Sequence, residues 1–296
     1  MGAAPSSDDS SRAGDGRAVA SSAASGTGSN SHQAQSKRAP PPHKFHEIVA
    51  QEATTAGGGG GTAAAAELED QACSTGVYLA GKTKKYWVDE KTRCNCFVLF
   101  ARALSITWGD DPRYWIWHPV RETKYVLSIR SACSSNYIYM HAQFSAQLDS
   151  SHVCTCTLSP STLYSDAEIV EAASLQNVCW LEVHGRLELS HLTPGCSYDV
   201  AFQVMLTEPA YGWSVPVNLR LRFPDGTAQA RKEKLQGRPT KQWLELRAGE
   251  VKAPAQPGGA GRSGELEISL FEYDGGLWKK GLLVKGIKIV PKESDY

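Results

Sequence analysis

Four aromatic residues crowd one short stretch of this chain, "LSITWGDDPRYWIWHP", where Trp108, Tyr114, Trp115 and Trp117 surround a Gly-Asp-Asp-Pro turn. Leu104, Ile106 and Trp108 share one parity before the turn, and Trp115 and Trp117 share one face after it, opposite Tyr114 and Ile116. Rings split this way between two faces cannot all enter one core. Aromatic planes at loop ends are suited to the apolar face of a sugar ring, with polar neighbours taking the hydroxyls. At least one of Trp115 and Trp117 is expected in the core.

Carboxylates are the second group with chemistry to offer. Glu182 and Glu188 fall on a polar strand face and read as solvated. Glu272 shares parity with Leu266, Ile268 and Leu270, so it sits at a rim or is held by a partner. Glu265 has the opposite parity and meets Glu272 at one site only through a bulge or twist. Nothing in the spacing sets two carboxylates across a cleft, as glycoside cleavage needs, so the chain does not read as an enzyme. The Cys-x-Cys pairs at Cys94/Cys96 and Cys154/Cys156, the latter beside His152, lack the two-to-four residue spacing of structural zinc. No metal or cofactor is implied. "RKEK" (Arg231 to Lys234) reads as a solvated loop.

The elements that must position these residues are strands. "NVCWLEVHGRLEL" alternates, with Cys179, Leu181, Val183, Leu187 and Leu189 on one face and Trp180, Glu182, His184, Arg186 and Glu188 on the other. "SYDVAFQVMLT", "VNLRLRF", "KQWLELRA" and "ELEISLFEY" keep the same period. "LLVKGIKIV" changes phase, which a β-bulge at Gly286 reconciles. Eight or nine strands and no long helix predict an all-β, antiparallel two-sheet β-sandwich, jelly-roll-like.

Residues 1–75 form a low-complexity tail, expected to be disordered because "SSAASGTGSN" and "AGGGGGTAAAA" carry too little apolar surface to offset ordering. Within it, Phe45, Ile48 and Val49 make one short amphipathic turn. Lys plus Arg and Asp plus Glu number 31 each, which argues against a broad grip on phosphate backbones and leaves RNA binding open. The first 40 residues lack an apolar signal region, and no membrane span is readable. The eight cysteines are therefore expected as reduced thiols in the cytoplasm or nucleus.

Several longer motifs, "KKYWVDE…CNCFVLFARALSITWGDDPRYWIW", "NVCWLEVHGRLE" and "ELEISLFEYDGGLWKKGLLVKGIKIVP", occur together in one order. They resemble the phloem protein 2-like, Nictaba-related plant lectins over residues 82–292, less an atypical insert at 121–165. The resemblance implies a non-catalytic lectin domain, without cofactor, that binds N-acetylglucosamine oligomers, N-glycan cores and glycoproteins in phloem sieve elements. It assigns the carbohydrate to Trp108, Trp115, Glu265 and Glu272, leaving Trp117 to the core. A homodimer would supply avidity. The alternative is a structural protein of phloem filaments, joined to a filament partner through cysteines, with weak or lost sugar binding. The Ser-rich insert, which precedes the acidic connection "DAEIVEAASLQ", reads as translated intron sequence or a gene-model error.

Overall fold

Thirteen strands and two helices make up the described residues of the computed structural model, which are 40–53, 62–122, 168–255 and 264–293. The strands are β1 (Val77–Leu79), β2 (Lys84–Val88), β3 (Asn95–Phe100), β4 (Ser105–Ile106), β5 (Trp115–Glu122), β6 (Glu168–Leu175), β7 (Leu181–Glu188), β8 (Ser197–Tyr211), β9 (Val217–Arg222), β10 (Ala228–Glu233), β11 (Trp243–Lys252), β12 (Glu265–Glu272) and β13 (Lys280–Pro291). The helices are α1 (Phe45–Ala53) and α2 (Thr62–Ser74).

All paired strands run antiparallel, in two sheets. The smaller has the order β10-β9-β12-β7-β4. In the eight-stranded sheet, β13 pairs with β8 along one side and with β3 and then β6 along the other. The alternating residues read from the sequence form the filling between the sheets. Val217, Leu219, Leu221, Leu266, Ile268 and Leu270 face Tyr198, Val200, Phe202 and Val204, all fully buried. Gly185 in β7 lets the layers meet, since a Cβ there would lie 2.4 Å from Ile287 Cδ1. The β13–β8 register shifts between Val284 and Gly286, the expected bulge, and a Cβ at Gly286 would lie 2.2 Å from the Leu99 carbonyl.

Four expectations need correction. The acidic connection is largely strand β6, which pairs with β5 residue for residue from Trp115↔Leu175 to Glu122↔Glu168. Most of "RKEK" lies in β10, an edge strand whose charges suit an unpaired edge. Cys94 is disulfide-bonded to Cys196, so these two are not reduced thiols. Turn and strand bring them together across 102 residues of sequence, which spacing alone does not reveal. Finally, the described residues of the tail include two helices, α1 and α2. Phe45 and Ile48 are buried against the sandwich, and the Asn95 amide donates to the His43 carbonyl at 2.7 Å. A nine-residue helix is marginal alone and gains stability by docking its apolar face. The tail before residue 40 lies outside the described residues, as does the insert apart from Arg121 and Glu122.

Candidate functional site

The loop between β4 and β5 is tied at every step. Thr107 N–H donates to the Glu182 carbonyl at 3.1 Å, Gly109 N–H to Ile106 O at 2.9 Å, and Asp111 N–H to Trp108 O at 3.0 Å. Two indoles pin it from beneath: Trp115 Nε1–H donates to Thr107 O at 3.2 Å and Trp117 Nε1–H to Gly109 O at 3.1 Å. Asp111 grips Arg113, a bond that holds its carboxyl below the usual range. The tight turn leaves Trp108 at φ +60°, a backbone region costly for a residue with a Cβ. Its ring is 47% exposed and lies 5.1 Å from that of Tyr114.

A second aromatic group stands beside this loop. Trp180, just ahead of β7, is 42% exposed and stacks on Tyr273 at 4.2 Å, which stacks in turn on Phe271 at 5.5 Å. Glu182 connects the two groups. Its Oε2 accepts the Trp180 indole N–H at 2.9 Å and the Thr107 hydroxyl at 3.1 Å, while Oε1 lies 3.0 Å from His184 Nε2. These donors, Trp180 first, hold the Glu182 carboxyl below its ordinary pKa. His184 Nδ1 reaches Ser269 Oγ at 2.9 Å, so its ring is fixed from both sides.

The turn after β12 carries the exposed side chains Leu277 and Trp278. Beneath it, Glu272 and Lys279 form an ion pair with both side chains essentially fully buried. Glu272 also accepts Gly275 N–H at 2.8 Å, and the Lys279 ammonium donates to Leu277 O at 2.9 Å and Cys179 O at 3.2 Å. The pair thereby braces the turn and the segment that leads into Trp180.

The four residues assigned by resemblance are not brought together. Trp108 is open. Trp115 is 2% exposed, so it offers no free face; the parity it shares with Trp117 left their depths undecided, and Trp117 is the outer one, half-buried with Arg102 3.6 Å over its ring. Glu272 points inward, as its parity predicts, and is occupied by Lys279. Glu265 lies at the other end of β12, roughly 23 Å away at strand rise, exposed and 3.5 Å from Arg186. Sequence reading missed Tyr273 and took Glu182 as merely solvated. Trp180 carried the available signal, being an aromatic on the wet face of an alternating strand. The pair Cys154/Cys156 with His152 lies outside the described residues.

The model of the family described as Phloem protein 2 matches residues 94–165 and 159–291. Protein PHLOEM PROTEIN 2-LIKE A1 of Arabidopsis thaliana is 37% identical over 222 residues, covering 74% of this chain and 71% of that one. A protein of Luffa acutangula named Lectin is 34% identical over 227 residues, covering 77% and 85%. A solved structure, TmCBM61 in complex with beta-1,4-galactotriose, aligns over 41% of this chain and 71% of its own at 12% identity and a TM-score of 0.25. The chain belongs to the phloem protein 2 family.

Proposed function

We propose that the protein is a sugar-binding lectin of the phloem that takes N-acetylglucosamine oligomers and N-glycan cores at the loop end of the sandwich. The observation that carries this reading is the pair of exposed indoles, Trp108 and Trp180, on two segments joined through one carboxylate, Glu182. The rings offer stacking surfaces for the C–H faces of successive pyranoses. Glu182 fixes their spacing, and a charged acceptor on a rigid strand discriminates among hydroxyl and N-acetyl N–H groups. Trp115 and Glu272 enter as supports for the two loops. Glu265 falls outside this site. Relatives named as lectins support the reading at the level of the family.

Binding proceeds without turnover. Glu182, His184 and Ser269 stand in the order of a nucleophile relay, but Ser269 is fully buried and beyond the reach of a substrate carbon. Shallow sites of this kind work between about millimolar and micromolar, so a homodimer or a multivalent glycoprotein would supply avidity. Calorimetric titration of N-acetylglucosamine trimer is expected to give a dissociation constant in that range, weakened by Trp108→Ala and by Trp180→Ala. A folded protein that takes up no trimer at millimolar concentration overturns the reading.

A further inference from the structure

Beyond Trp180 the aromatic run does not stop. Register sets Glu182, Phe271 and Asn218 in one row across β7, β12 and β9, and His184, Ser269 and Arg220 in the next. The Tyr273–Phe271 stack therefore leads across the outer face of the five-stranded sheet, and the Arg220 guanidinium lies 5.0 Å over the Phe271 ring. Ring follows ring from Trp180 to Phe271 of β12, and the series ends in a cation on β9.

Arg220 differs from four other arginines of the described residues. Arg102 places its fork on Glu171, Arg113 on Asp111, Arg238 on Glu233, and Arg247 on Asp199 and Glu250. The carboxylate beside Arg220, that of Glu267, is 4.0 Å away and beyond hydrogen-bond reach. Its Nε–H is buried without a hydrogen-bond partner. An unmet buried donor carries a cost that native structures seldom tolerate without a reason. A guanidinium anchored over a ring, with its Nε–H unspent and its nearest carboxylate beyond hydrogen-bond reach, is a fork able to take a planar anion.

We propose that the sugar site continues along this face to Arg220, and that Arg220 receives the carboxylate of an acidic sugar in a longer glycan. This rests on the lectin reading above. A stripe of stacked rings ending in a guanidinium favours an oligosaccharide with neutral rings on the aromatic residues and a uronate at the far end. Phosphate backbones suit it less, because Glu182, Glu265 and Glu267 share the outer face and would oppose a charge at every step. The overall charge balance of 31 against 31 adds no attraction.

The test is calorimetry on the full chain with two ligands. One is N-acetylglucosamine tetramer. The other is hyaluronan tetrasaccharide, in which glucuronate alternates with N-acetylglucosamine. Arg220→Gln is expected to weaken the acidic ligand about tenfold and the neutral one by less than about twofold. Arg220→Lys, which keeps charge and loses the fork, should fall between. Added salt should erode the acidic ligand's affinity and spare the neutral one. Equal losses for both ligands, or none for either, overturn the inference. Neutral binding without acidic binding sinks it while the lectin reading stands, and binding of neither ligand removes both. Loss of oligouridylate binding in Arg220→Gln, with hyaluronan unaffected, overturns it in favour of a nucleic acid.

Discussion

At its last residue β7 runs into a short 3₁₀ turn, Leu189–His191, where rings form a succession: Phe45 with Tyr86 at 6.3 Å, Tyr86 with Phe97 at 5.4 Å, and Phe97 with His191 at 6.4 Å. Around its first residues stand Trp180, Tyr273 and Phe271, in a similar succession. The first run is buried to within a few per cent, whereas in the second Trp180 is exposed and Phe271 and Tyr273 are half-buried. Side-chain type does not account for this. Closure depends on what lies over the rings: α1 seats Phe45 on one end, and the disulfide ties β3 to the turn before β8 nearby. At the other end only turns surround the rings, and these are held from below. One end of the strand is built for stability and the other for contact.

Breaking that division should have its largest effect at the closed end. The double variant Cys94→Ser/Cys196→Ser releases a loop of 102 residues and is expected to cost about 4 kcal/mol in denaturant unfolding, with sugar affinity unchanged in the folded fraction. Equal loss of affinity would show that the two ends are coupled. Lys279→Ala comes next. It leaves Glu272 as a lone buried charge at an expected cost of about 3 kcal/mol, whereas Lys279→Met with Glu272→Leu should recover most of it. A single variant no less stable than wild type would show that the pair supports nothing.

Trp108→Ala and Trp180→Ala should do the converse. Each is expected to weaken trimer binding about tenfold or more while moving stability by less than about 1 kcal/mol. A large fall in melting temperature would place these rings among the structural ones. The smallest effect is in pH. Burial, the leading cause, holds His191 below its usual 6.5 despite the nearby Glu47, with Lys44 and Lys84 acting in the same sense as burial. Its neutral form is the folded one, so this contribution is complete above about pH 6.5 and is lost as pH falls toward the lower folded pKa. Glu182 is depressed from 4.5, and the contribution of its bonds is present above that value and fades below it. Between about pH 6.5 and 5, stability should therefore decline while trimer affinity holds. Parallel loss of both would refute the separation.

The sandwich was largely legible because one-sided alternation reports burial directly. Val217, Leu219 and Leu221 face inward as read, and so does Glu272. Parity assigns a face and not a depth: it left Trp115 and Trp117 open, the resemblance gave Trp115 to the sugar, and Trp115 is the deeper ring. It also fails where a strand is an edge, as with β10, whose polar residues imitate a loop. Lys279 across the turn and Cys196 across 102 residues are tertiary facts with no local periodicity, and the spacing of Phe45, Ile48 and Val49 marks an apolar face without saying where it docks. The site suffered for the same reason: Glu182 bridges two segments only because the loop after β4 brings Thr107 to it.

One joint in the larger sheet has a different consequence. β5 leaves its pairing at Glu122 and β6 takes it up directly opposite at Glu168, with 45 residues between them. Closing a segment at facing positions costs an entropy that grows by only about 0.6 kcal/mol for each doubling of its length. For a protein engineer the joint is a port: a reporter or a second binding module whose termini lie close together could be spliced there in frame.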